Sequence, residues 1–98
     1  MDWASAAASA MTQLKLKQVP LAKLVGCKQG PLSRILSGKL NPSTRLREKI
    51  NFILVTRLAT KMGIEIPANP ETDDALQMVV LHVGLDSLAE NLKAMSTQ

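Results

Sequence analysis

The chain has 98 residues, enough for one folded domain and too few for two independent hydrophobic cores. Ala, Leu, Lys and Met are frequent and aromatic residues make up only 2%, which favours helices over sheets and excludes the stacking platforms of single-strand and RNA binders. The net charge of +4 is divided unevenly, because residues 1–64 carry eleven Lys/Arg and two Asp/Glu whereas residues 65–98 carry one Lys and six Asp/Glu. We therefore expect an all-α protein with a basic domain over 1–64 and an acidic helical extension over 65–98.

The residues of the chain do not support a disulfide-linked, metal-binding, catalytic or membrane-spanning protein. One cysteine, Cys27, and one histidine, His82, cannot form an internal disulfide or a metal site of ordinary ligand number. No Ser, His and Asp are grouped as in a catalytic triad, so we expect neither an enzyme nor a cofactor. No run of about eighteen apolar residues occurs and the N-terminus lacks the basic start of a secretion signal, so we expect a cytoplasmic protein.

Glycine positions and apolar spacing divide the first forty residues into three predicted helices. Asp2 is the expected N-cap of a first helix that reaches about Leu16. A short second helix, with a proline in its first turn, ends at Gly26. The third helix is predicted between Gln29 and Gly38.

The remaining sequence predicts two or three further helices. The cap signal Asn41-Pro42 predicts a long fourth helix that reaches about Met62. The same Asn-Pro signal recurs before a fifth helix, which we expect over about 71–83. Gly84 is expected to end it, and Ser-Leu-Ala-Glu at 87–90 has the spacing of a capping box for a sixth helix.

The fourth and fifth helices have more apolar positions than one buried face requires. A monomer of this length has little material to cover a helix on two sides, so a second copy is the economical solution. We therefore expect a homodimer whose interface is formed by Phe52, Val55, Leu58, Leu76, Val79, Val80, Val83 and Leu88.

The most informative stretch is residues 18–39, QVPLAKLVGCKQGPLSRILSGK, which predicts two short helices joined by a glycine turn. A small residue at the helix crossing, a glycine in the turn and two apolar anchors would hold the pair together, namely Ala22, Gly26, Leu32 and Ile35. This packing leaves the outer face of the second helix with Gln29, Gly30, Ser33 and Arg34.

This stretch resembles the helix-turn-helix of the lambdoid phage repressor and Cro family, also called XRE-like. The matching positions are Gln18, Ala22, Gly26, Gln29, Ser33 and the pair Gly38-Lys39, and the resemblance covers about residues 14–58. It implies a sequence-specific regulator of double-stranded DNA, a dimeric repressor on a palindromic operator in a bacterial cell or phage-infected host. It also implies that the positions of Gln29, Gly30 and Arg34 face base edges and that Gln18 holds a phosphate.

The residue types agree with these implied roles. Gly30 has no side chain, so base reading is expected to concentrate on Gln29, Ser33 and Arg34, where glutamine can pair with adenine and arginine with guanine. Phosphate contacts are expected from Lys28, Lys39 and Arg45, and also from Asn41 at the start of the fourth helix. A plain N-cap is an equal reading of Asn41.

Two other functions stay open at this point. In one, the chain is a protein-interaction module, such as an antirepressor or an antitoxin-like partner, whose C-terminal helices bind another protein. In the other, it binds DNA without sequence preference. For Lys15, Lys17 and Lys23, the sequence favours an exposed face that keeps the protein in solution.

Overall fold

The computed structural model describes the backbone of residues 2–96 and the side chains of residues 2–84. The chain forms five helices and the described residues contain no strand. The helices are α1 (Trp3–Leu14), α2 (Gln18–Val25), α3 (Gln29–Leu36), α4 (Thr44–Met62) and α5 (Asp73–Ser96). The all-α prediction of five to six helices is confirmed, with five.

The first helix starts where the sequence predicts and ends earlier. The Asp2 carboxylate accepts the Ser5 N–H at 2.8 Å, which satisfies one of the free donors of the first turn. At the other end, Lys15 takes the left-handed conformation with φ 53°, and its N–H donates to the carbonyls of Met11 and Thr12. The helix therefore ends at Leu14 and not at Leu16, because a left-handed residue cannot continue it.

The predicted start of α4 at Asn41-Pro42 is wrong by two residues. Ser43 is the N-cap, and its hydroxyl accepts the Leu46 N–H at 3.2 Å. Asn41 and Pro42 lie in the preceding loop, so Asn41 neither caps the helix nor stands at its positive end. The Ser43 hydroxyl, two residues further along the chain, satisfies the free N–H instead.

The predicted break at Gly84 is also wrong, because α5 continues through it to Ser96. Gly84 does not have a positive φ, and glycine inside a helix costs only about 1 kcal/mol relative to alanine. Residues 87–90 therefore open no sixth helix. The start of α5 is set by Thr72, whose hydroxyl accepts the Ala75 N–H at 3.1 Å and donates to the Asn69 carbonyl at 2.9 Å.

A single hydrophobic core joins all five helices. Three alanines of α1 allow it to approach α4 closely, and α5 covers the adjoining side of both helices. The deepest apolar residues are Ala6, Ala7, Ala10, Leu21, Leu32, Ile50, Leu54, Val55, Leu58, Ala59, Leu76 and Val79. The first part of the acidic extension is thus packed into the same core as the basic segment.

The predicted dimer interface needs correction for five of its residues. Val55, Leu58, Leu76, Val79 and Val80 are buried within the single chain, because α1 and α5 cover the two sides of α4 that seemed to require a partner. Their side chains offer no surface to a second copy. Among the other predicted residues, Phe52 is exposed and Val83 is half-buried, and the side chain of Leu88 lies outside the described residues.

One buried polar side chain, Asn51, connects three parts of the fold. The Trp3 indole N–H donates to Asn51 Oδ1 at 2.7 Å. The Asn51 amide nitrogen donates to the Glu71 carbonyl and to the Asp73 carboxylate, both at 2.9 Å. Asn51 is only 1% exposed, so each of these bonds replaces a lost bond to water.

Arg47 completes this arrangement at the protein surface. Its guanidinium donates to both carboxylate oxygens of Asp73, at 3.0 and 2.5 Å, and lies 4.7 Å from the centre of the Trp3 ring. The hydrogen bond from Arg47 holds the pKa of Asp73 below its ordinary value, with a smaller effect from Asn51. The same pairing raises the pKa of Arg47. We call these four residues, Trp3, Arg47, Asn51 and Asp73, the polar junction.

Asn51→Ala should lower the free energy of unfolding by about 2 to 3 kcal/mol, because the buried Trp3 N–H loses its acceptor and a void is left. Urea unfolding followed by circular dichroism measures this change. The exposed Arg57→Ala on the same helix is the matched control and should change stability by less than about 0.5 kcal/mol. Equal losses in the two variants would contradict the role of the junction.

The lowered pKa of Asp73 predicts a loss of stability in acid. The folded state keeps this carboxylate charged at a pH where the unfolded chain has bound a proton, so its contribution is complete above the ordinary value of 3.8. The contribution should disappear as the pH falls below that value through the folded-state pKa. Unfolding measured between neutral pH and acid should therefore show a smaller acid loss for Asp73→Asn than for the native chain, and an undiminished loss for its exposed neighbour variant Asp74→Asn.

Candidate nucleic-acid interface

The helices α2 and α3 are joined by a three-residue turn, residues 26–28. Gly26 has φ 76°, a conformation that favours glycine, and its N–H donates to the Ala22 carbonyl at 2.9 Å. The Cys27 N–H donates to the same carbonyl at 3.0 Å. The turn therefore closes α2 and starts α3 in a new direction at once, as the glycine position predicts.

Three of the four residues that were expected to hold the two helices together are in the interior, and the fourth, Gly26, forms the turn. Ala22, Leu32 and Ile35 are buried, and they join the core that α1 and α4 provide. α3 is therefore held from underneath on one side only. Its orientation is fixed by the rest of the domain while its other side faces solvent.

The outer face of α3 has the expected residues. Gln29, Gly30, Ser33 and Arg34 are all exposed. Gly30 has no positive φ, and a Cβ placed on it would meet nothing within 4 Å. Neither the backbone nor the packing of the chain therefore requires glycine at this position.

A surface groove of about 660 Å³ connects this face to the beginning of α2. One wall has Lys15, Lys17 and Gln18, from the connection between α1 and α2. The other wall is part of α3 and includes Ser33 and Ser37. The groove thus brings the predicted phosphate contact Gln18 to the same surface as the predicted base contact Ser33.

Lys15 and Lys17 were not expected to be site residues, since the sequence favours an exposed lysine face there. Their place on the groove wall makes them candidate phosphate contacts. Lys15 has the one positive φ that a non-glycine residue shows within the described part of the chain. Strained backbone conformations occur often at functional positions. Helices usually end at a glycine, so a lysine at the end of α1 was the sequence signal that could have marked Lys15 as a site residue.

The other predicted phosphate contacts surround α3 at both ends. Lys28 is the exposed N-cap residue of α3, and Lys39 and Asn41 are exposed in the loop that follows it. This loop is tied back to α3, because the Arg34 carbonyl accepts the N–H groups of Lys39 and Leu40 at 2.9 and 3.2 Å. Asn41 no longer has the helix start that supported its assignment.

Arg45 occupies a different place from the groove residues. It lines a depression between α2 and α4 together with Leu24, Lys49 and Phe52. The structure therefore does not bring Arg45 into the groove that holds Gln18 and Ser33. Its predicted phosphate contact stays a prediction.

The charge around α3 has one sign. Residues 3–47 include eight Lys/Arg and no Asp/Glu. The one carboxylate close before this segment, Asp2, caps α1, and Asp73 is paired with Arg47 in the polar junction. A segment of this kind attracts polyanions. The next carboxylates lie away from the groove, since Glu48 and Glu71 line the depression that contains Arg45.

Cys27 is half-buried in the turn, and burial raises the pKa of its thiol. Among residues 2–84, no three His, Cys, Asp or Glu side chains lie together as a metal site would require. No described helix combines the length and apolarity that crossing a membrane needs.

Comparison of the chain with protein-family models, curated proteins and solved structures gives no match. The resemblance to phage repressors therefore depends on the matching residues between Gln18 and Lys39 that the sequence itself shows.

Lys15→Gly should raise the free energy of unfolding by about 0.5 to 1 kcal/mol, because glycine takes the left-handed conformation without strain. If the groove binds nucleic acid, the same change should weaken binding, since one cation leaves its wall. Thermal unfolding and DNA titration by fluorescence anisotropy measure the two effects. Lys23→Gly, an exposed position within α2 with ordinary φ, is the control and should lose stability.

Proposed function

We propose that the chain is a sequence-specific regulator of double-stranded DNA, a cytoplasmic dimeric repressor that inserts α3 into the major groove of a palindromic operator. The observation that supports this most is the exposed Gln29, Ser33 and Arg34 on a helix anchored by its opposite side. A base-reading helix requires both properties, since it must enter the groove while the domain keeps its orientation fixed.

The size of α3 suits this role. An α-helix with its side chains is about 10 to 12 Å wide, and the major groove of B-DNA is about 12 Å wide. The eight residues of α3 span about 12 Å of helix axis, which limits one chain to a few base pairs. A second copy would double the length that is read, which is the reason for proposing a palindromic site.

The proposed base contacts divide by chemistry. Arg34 would donate two hydrogen bonds to a guanine, and Gln29 would exchange two with an adenine. Ser33 can accept or donate and discriminates less. Gly30 would let the backbone of α3 approach the groove floor without a side chain in between.

The phosphate contacts would fix the register of α3 without reading sequence. Lys15, Lys17 and Gln18 would bind DNA phosphates along one wall of the surface groove of the protein. Lys28 and Lys39 would bind phosphates at the two ends of α3. The exposed carboxylates of Glu65 and Asp74 would keep their own surface away from DNA, because they repel phosphates.

Selection of bound sequences from a random DNA pool tests this function directly. A palindromic consensus bound about a thousandfold more tightly than random DNA is the expected result. Similar affinity for all sequences, with a steep salt dependence alone, would instead indicate a nonspecific DNA-binding protein.

Two substitutions separate the proposed roles. Arg34→Ala should relax preference at one base pair of the half-site and cost about 1 to 3 kcal/mol of binding free energy on the consensus. Lys39→Ala should weaken binding to all sequences and lower the slope of log K against log salt by about 1. Arg57→Ala, on the outer side of α4, is the control and should change neither quantity. Identical effects of Arg34→Ala and Lys39→Ala would contradict the assignment.

A further inference from the structure

Within residues 73–84, the helix α5 has two apolar sides, and the core of the chain buries one of them. Ala75, Leu76 and Val79 are buried against α1 and α4. Met78 and Leu81 lie on another side of the same helix and are 56% and 68% exposed. Large apolar residues so exposed on one helix face indicate a surface that something else covers.

In the sequence, the apolar positions of this side continue along the rest of the helix. Apolar residues follow at alternating intervals of three and four, namely Met78, Leu81, Leu85, Leu88, Leu92 and Met95. Because α5 is continuous from Asp73 to Ser96, these six positions lie on one stripe, about 25 Å long. Intervals of three and four are the a and d positions of a coiled coil. We call these six positions the α5 seam.

The side of α5 that faces the chain's own core changes character along the helix. It is apolar at Leu76, Val79 and Val83, and the positions in the same register further on are Asp86, Glu90 and Lys93. The seam stays apolar over the same length. Packing within the chain therefore accounts for the apolar residues Leu76 and Val79. It does not account for the exposed Met78 and Leu81.

The positions that flank the seam favour a second copy of the same chain as its occupant. They are Gln77, His82, Gly84, Ala89 and Asn91, and none is Asp, Glu, Lys or Arg. In coiled coils, charges at these e and g positions select the partner, and like charges repel. Two identical chains bring identical flanking positions together, so uncharged flanks avoid repulsion between like charges and suit self-association. A different partner protein would have no flanking charges by which to recognise this helix.

We propose that two copies of the chain associate through the α5 seam, with α5 packed against α5 by knobs-into-holes contacts. Of the α5 residues that the sequence predicts for the interface, only Leu88 belongs to the seam, and Leu76, Val79 and Val80 are in the core. The proposal says which surface forms the dimer of the proposed function. It rests on that function only for the statement that the dimer places two α3 helices on one operator.

The size of the seam sets the expected strength of the dimer. A standard interface has roughly 20 to 30 residues on each side, and the seam with its flanks has about half of that. We therefore expect a reversible dimer that dissociates at micromolar concentration and not an obligate one.

Sedimentation equilibrium of the full chain without DNA, over about 1 to 100 μM, tests the proposal. Leu81→Lys should raise the dissociation constant of the dimer at least about tenfold, because a charge replaces an exposed apolar residue of the seam. Ile66→Lys, at an exposed apolar residue outside α5, is the matched control and should leave the constant unchanged. Circular dichroism checks that both variants keep their helices, and Met78→Lys provides a second seam variant should Leu81→Lys fail to fold.

A native chain that stays monomeric throughout this range would overturn the proposal, as would equal effects of Leu81→Lys and Ile66→Lys. The test is separate from that of the proposed function. A monomer that selects one DNA sequence would refute the seam and leave the function standing, whereas a seam-dependent dimer without sequence preference would refute the function and leave the seam.

Discussion

The position of every helix outside the α2–α3 pair depends on one buried amide, that of Asn51. An amide in an apolar interior costs several kcal/mol unless its donors and acceptor find partners, so the fold must provide them where the amide lies. Trp3 at the start of α1 provides a donor, and Glu71 and Asp73 at the start of α5 provide acceptors. Apolar packing alone would let α5 slide along α4, whereas these directional bonds set its register.

The register of α5 then determines which residues the protein shows to its surroundings. With Asp73 held by Arg47 and Asn51, the next turns of α5 bury Leu76 and Val79 and turn Leu81 outward. On the other side of the molecule, α1 and α4 form the support on which α2 and α3 rest. The surface proposed for DNA and the surface proposed for a second copy are therefore positioned by the same frame.

The helix content and the α2–α3 turn could be predicted from the sequence because their determinants are local. Apolar spacing marks each helix, and Gly26 marks the turn, whatever the rest of the chain does. The errors arose where several local signals compete or where tertiary contacts decide. Asn41 and Ser43 are both good caps, and only the Leu46 N–H, which bonds to Ser43, separates them.

The missed features share a different cause. A glycine such as Gly84 ends a helix only where a turn is more stable than continued helix, because its cost inside a helix is small. The sequence does not show which of the two is more stable. Val55 and Val79 looked available to a partner because the packing of α5 on α4 cannot be read from either helix alone. Asn51 looked like an ordinary polar position of α4, and its partners are far away in the sequence, 48 residues in the case of Trp3.

The polar junction contains Trp3, the sole tryptophan of the chain. Its indole bonds to Asn51 and lies beneath the Arg47 guanidinium, so its surroundings change when α1, α4 and α5 separate. The groove that includes Gln18 and Ser33 has no part of Trp3 in its walls. The protein thus has a natural optical probe whose fluorescence follows the joining of its first and last helices and is set apart from the surface where we place DNA.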